Sequence, residues 1–223
     1  MEKVLQFLEN LSINNNKDWF HDNRKLYEES RDKILFITEV LINEIRKFDT
    51  EIPVMSPKDC IFRIFRDVRF SNDKRSYKTN FGSFIAKGGR KSLLAGYYFH
   101  IEPDGSFAGG GLHMPPAEQL RAIRSCIAEN GSEFLEIIQE KKFKKFYPEI
   151  YGQKLKNVPK GFPKDHEFAD LLRYQSFAFS TNLKREIITG GSFIDYLVNA
   201  FSELYKVNKF INNGLNKFLY CDS

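Results

Sequence analysis

Cysteine is scarce in this chain, and the three that occur, Cys60, Cys126 and Cys221, are odd in number and far apart. That spacing speaks against a disulfide framework, and a reducing cytoplasm is the expected setting. No apolar run approaches the roughly 20 residues of a membrane-spanning helix, so no membrane partner is expected. The opening Met1-Glu2-Lys3-Val4 has none of the basic-then-apolar patterning of a secretory leader. Histidine is also sparse, with four in 223 residues, and no His/Cys spacing matches a zinc site. Neither a metal nor a cofactor is therefore expected. A G-x-S-x-G elbow, an S-x-x-K set and the nucleotide-binding glycine fingerprints are all missing, which removes the commonest sequence signatures of nucleophilic and nucleotide-dependent enzymes.

Aromatic residues, by contrast, are plentiful, with 22 Phe and 10 Tyr, and positive charge is unevenly spread. Lys58–Lys91 holds ten Lys/Arg against three Asp/Glu, a local balance of +7 in a chain whose net charge is +5. Within it, Arg63–Lys78 (RIFRDVRFSNDKRSYK) carries six cations, two aspartates and Tyr77. Concentrated cations with interleaved aromatics mark a place where an anion can sit.

Hydrophobic periodicity predicts helices over Glu2–Leu11, over Lys17 to about Phe48 with a bend near Asn23, and over Pro115–Asn130. Further helices are predicted over Ser132–Phe146, Glu167–Leu172 and Ser192 to about Phe218. Strands are predicted over Ile61–Phe70, Phe81–Ala86, Leu93–Ile101, Phe107–Leu112 and Tyr174–Ser180, with Pro103-Asp104-Gly105 turning the central hairpin. Helices, then a strand meander, then helices favour an α+β fold. A mostly antiparallel sheet of about five strands, with helices packed against it, is expected as a single domain over 1–223.

At Arg63-Ile-x-Arg66-Asp67-x-Arg69-Phe70-Ser71-x-Asp73-Lys74 the chain resembles a bacterial and fungal domain-of-unknown-function family, number 2461. Asn15-x-Lys17-x-Trp19-Phe20, Tyr77-Lys78-Thr79-Asn80, Gly109-Gly110-Gly111 before Pro115, and Asp165-His166 extend the resemblance over nearly the whole length. Ser76, His113 and Glu167 depart from the family pattern, at positions where it favours Pro, an aromatic and Pro. The resemblance implies a shared fold and carries no activity.

If Ile61–Phe70 is a strand, residues two apart share a face. Arg66 then lies in the apolar row of Phe62, Ile64, Val68 and Phe70, where a buried guanidinium requires an internal carboxylate. Arg63, Asp67 and Arg69 lie opposite. Arg63, Arg69, Lys74, Tyr77 and Lys78 are accordingly the candidate ligand-binding residues, for a phosphate-bearing small molecule or nucleic acid. Two alternatives stand beside this reading. One is an enzyme with Asp67 or Asp73 as acid or base, assisted by Tyr77 or His100. The other is a structural or protein-interaction domain in which each arginine is paired internally. Protein partners are not indicated by any motif.

Overall fold

The computed structural model describes residues 1–67 and 75–220. Two amphipathic helices open the chain: α1 (Glu2–Ile13), burying Val4, Leu5, Phe7, Leu8 and Leu11, and α2 (Lys17–Asp22). The polar run between them divides its labour. Asn16 caps α2 by accepting the Trp19 N–H at 2.9 Å. Asn15 instead holds the Tyr77 backbone on both sides, accepting its N–H and donating to its carbonyl, each at 3.0 Å. The bend predicted near Asn23 is a true break, after which α3 (Arg24–Ile45) buries a stripe from Ile34 to Ile45.

A one-turn helix α4 (Pro57–Cys60) follows, with Pro at its start and Ser56 capping it. Then come β1 (Phe81–Ile85), a 3-10 turn (Gly89–Lys91), β2 (Gly96–Ile101) and β3 (Phe107–Leu112). Helices α5 (Ala117–Gln139), α6 (Lys141–Phe146) and α7 (Ala169–Leu172) precede β4 (Phe177–Asn182). The chain closes with α8 (Arg185–Thr189) and α9 (Phe193–Tyr220). The predicted stop between two helices near Gly131 is present as a kink: Asn130, at φ −130°, ψ 31°, is non-helical, and α5 consists of two helices that meet there. No helix among the described residues is long and apolar enough to cross a membrane.

The fold is α+β, with a four-stranded antiparallel sheet in the order β1-β2-β3-β4 and helices packed against it. About five strands were expected, and the predicted first strand accounts for the difference. Its described part, Ile61–Asp67, makes only isolated bridges, Ile61 to Ser83 and Phe65 to Tyr77. The reason lies in the pairing. Phe62 N–H donates to Gly82 O at 3.0 Å, but the next bond, Lys78 N–H to Ile64 O at 2.8 Å, skips ahead. Arg63 alone therefore faces Thr79–Phe81, a bulge that interrupts the ladder.

By contact density the chain forms two compact units. The first comprises Met1–Lys91, Tyr98–Ala108 and Asn182–Asn199. Here α3 packs on α1, α4 and β1, and Thr38 Oγ1 meets Ser83 Oγ at 3.1 Å in a buried contact. Arg185 grips both Glu2 and Glu9 of α1. The second comprises Ser92–Tyr97, Gly109–Thr181 and Ala200–Ser223. Its core includes Phe134 between Phe177 and Phe210, with ring centroids 6.0 and 5.2 Å away. Asn208 and Asn212 of α9 bond the backbone at Gly96 and Ala95.

Candidate functional site

Burial along Ile61–Asp67 follows a period of three, since Ile61 and Ile64 are 8% and 1% exposed. Phe62 and Phe65 are left 36% and 49% exposed. The strand-parity argument that set Arg66 in an apolar row thus fails, because it presumed a regular ladder that the bulge at Arg63 breaks. Arg66 is half-buried, and Arg66, Asp67 and Arg75 each have interaction partners.

The exposed side of this segment forms one wall of a cleft of about 630 Å³ in the first unit. Six cations line it: Arg31 from α3, Lys58 from α4, Arg63, Lys78, and Arg90 and Lys91 from the 3-10 turn. Tyr27, Ile61, Phe62, Phe65 and Phe81 supply the apolar surface, and there is no aspartate or glutamate among the described lining residues. Each wall has a local cause. Tyr27 and Arg31 stand one helical turn apart on α3, so their side chains project from one face. Tyr27 is fixed by stacking on Phe81, at 6.2 Å and 12° between planes.

The 3-10 turn is brought in by Gly89, whose backbone has φ +66° and lies so near Asp59 that a Cβ would sit 2.6 Å from the Asp59 carbonyl oxygen. Only glycine allows both the conformation and the approach. Arg90 then reaches back, donating from Nη1 to the Lys58 carbonyl at 2.8 Å. Lys78 Nζ lies 5.8 Å from the Phe62 ring centroid, a cation-π contact.

Some cations elsewhere in the protein find carboxylates: Lys154 with Asp170, Lys206 with Glu140, Lys217 with Glu129. None of the six in the cleft is ion-paired with a carboxylate among the described residues. The cost is visible at Lys78, whose ammonium is held below its ordinary pKa by burial and then by the nearby charges of Arg63 and Arg66. An anion in the cleft would relieve this like-charge crowding.

Of the residues predicted from sequence, Arg63 and Lys78 meet in the cleft. Arg69, Asp73 and Lys74 lie outside the described residues. Tyr77 packs in the core, 6% exposed and stacked on Phe20 at 4.0 Å and 9°. Asp67 is exposed and does not line the cleft. His100 sits mid-way in a chain along one face of β2. Its Nδ1 is 3.0 Å from the Tyr98 hydroxyl and its Nε2 is 3.1 Å from Glu102 Oε2. Thr79 donates to the other Glu102 oxygen at 3.0 Å, and Phe107 stacks on the imidazole at 5.0 Å and 14°. With Nε2–H donated to Glu102, Nδ1 accepts the Tyr98 proton, and both contacts are satisfied. Tyr98, half-buried and beside Glu102, has its phenol pushed up to about 12. None of the three lines the cleft. Among the described residues no cluster of three His, Cys, Asp or Glu could hold a metal ion.

The family model of a conserved hypothetical protein, DUF2461, matches residues 3–210. The chain belongs to the DUF2461 family. No curated protein and no solved structure matches it. The DUF2461 match spans every wall of the cleft, from Arg31 on α3 to Lys91 on the 3-10 turn. Reading the DUF2461 chain for its charges locates Lys58, Arg90 and Lys91 only as part of a basic stretch, and misses Arg31 altogether. The available signal for Arg31 is the Tyr27/Arg31 pair at helical spacing, which needs the tertiary packing of α3 beside α4 and β1 to acquire meaning.

Proposed function

We propose that the first-unit cleft binds a phosphate-bearing anion. The observation that carries this reading is the six-cation lining with no acidic residue among its described members. Guanidinium groups suit the ligand because their planar donors match phosphate oxygens two at a time, while the lysines act as point charges. Three arginines and three lysines offer both modes around one space. That space also falls within the size range of small-molecule sites. Arg63 stands at the bulge, where the backbone is released from the ladder, and is exposed.

The test is calorimetric titration with inorganic tripolyphosphate. Replacing Arg63→Ala removes one charge-assisted contact, so the dissociation constant should rise by about tenfold, with wild-type affinity falling steeply as salt is added. Equal affinity in the variant, or binding indifferent to salt, sinks the proposal. Arg24→Ala serves as the control, since Arg24 is exposed on α3 and already paired with Glu28.

A further inference from the structure

Phosphate recognition alone does not require the two half-exposed phenylalanines that flank Arg63. Phe62 and Phe65 are among the largest apolar side chains left uncovered, at 36% and 49% exposure, and both line the cationic cleft. Their rings are held rather than loose. Phe62 packs edge-to-face with Tyr98 at 6.2 Å, and Phe65 against Phe20 and Tyr77 at 5.9 and 5.5 Å. Rigid rings beside cations are what flat, anionic ligands use: a base stacks on the ring while its phosphate meets the guanidinium.

The second observation concerns length. A smaller cleft of about 260 Å³, lined by Pro53, Met55, Asp59, Gly88 and Gly89, shares Arg90 and Lys91 with the first. The two recesses therefore adjoin across one pair of cations. A compact anion fills one recess. A ligand with phosphates in series can reach from one to the other along Arg90 and Lys91.

Building on the reading of the cleft as an anion site, we infer that its ligand is single-stranded nucleic acid. Bases stack on Phe62 and Phe65, and successive phosphates contact Arg63, Lys78, Arg90 and Lys91. A duplex keeps its bases stacked inside and cannot offer them to these rings, so single strands are preferred.

The experiment uses the full chain and fluorescence anisotropy with three labelled probes about twelve units long, a length within the reach of single-strand grooves. They are oligo-dT, oligo-rU, and an abasic sugar-phosphate oligomer that carries the same charge without bases. Oligo-dT or oligo-rU should bind at least roughly tenfold more tightly than the abasic strand, and the tighter of the two shows which sugar the groove takes. The double substitution Phe62→Leu with Phe65→Leu keeps apolar bulk but removes both rings. It should erase the preference for base-bearing strands over the abasic strand, and a preference that survives intact contradicts stacking on these rings. A duplex of equal length should bind more weakly than either single strand. Equal binding of abasic and base-bearing strands, with Arg63→Ala still weakening both, overturns this inference while leaving the anion site intact. Failure of all three probes together with tripolyphosphate overturns both.

Discussion

Replacing Gly110→Ala should destabilise the protein by roughly 3 kcal/mol or more, at the upper end of what overpacking costs. A Cβ built on Gly110 lies 2.2 Å from the Gly96 carbonyl oxygen and 2.9 Å from Leu204 Cδ1. The nearest obstacle is backbone of the neighbouring strand, which cannot swing aside as a side-chain tip would. Relief requires β2 and β3 to separate, and neither neighbour of Gly110 offers slack. Added Cβ atoms at Gly109 and Gly111 would meet the Phe179 and Phe177 carbonyls at 2.1 and 2.2 Å. The three glycines thus let β3 lie close to the strands on both sides of it. Thermal unfolding measures the effect, with a fall in Tm on the order of 6–12 °C for a chain of this size. Gly191→Ala is the control, because nothing lies within 4 Å of its added Cβ. A Tm that moves no more for Gly110→Ala than for Gly191→Ala contradicts this role.

Stability should also fall between pH 10 and pH 12 through Tyr98. Its phenol is raised from 10.0 to about 12 by burial and by the Glu102 charge. A raised folded-state pKa means that the unfolded chain loses this proton first. The contribution is full below pH 10, declines as pH climbs through the window and is gone above about 12. A displacement of that size corresponds to roughly 2–3 kcal/mol. Cys60 and Cys126, pushed up to about 11 by burial, add a loss that begins nearer pH 9. Tyr98→Phe isolates the tyrosine. Urea unfolding of both proteins at steps from pH 9 to 12 should show the stability curves converging as pH rises, because only the wild type has the phenol to lose. Parallel curves through that window contradict it. The same substitution ends the hydrogen bond to His100, so the variant should start lower at pH 9.

The elements most legible in the sequence are those fixed by local rules. The Pro103-Asp104-Gly105 turn, with Gly105 at φ +105°, follows from turn chemistry and sets β3 (Phe107–Leu112) beside β2. The helix break at Asn23 follows from the polar interruption of the apolar period. The segment Ile61–Asp67 was misread because a period-two argument holds only while each residue has a ladder partner, and the bulge opposite Arg63 depends on the partner segment. For the site, Arg63 and Lys78 were legible because cations cluster in sequence there. Arg31 was not, since it reaches the cleft from a helix about thirty residues upstream. His100 drew notice in the sequence, but its partners Tyr98, Glu102 and Phe107 and the Thr79 contact to Glu102 emerge only through folding. Tyr77 shows the opposite error. A tyrosine between cations looks available for a ligand, yet Asn15 and Phe20 fold over it.

The cleft as a phosphate site is tested most directly by NMR of the Arg Nε–H and Lys Nζ groups during titration with inorganic tripolyphosphate. Saturable shifts at Arg31, Arg63, Lys78 and Arg90, with a stoichiometry of one and a common midpoint, are the expected result. Shifts spread over exposed lysines such as Lys141, Lys142, Lys144 and Lys145 of α6, with the cleft cations unmoved, contradict it.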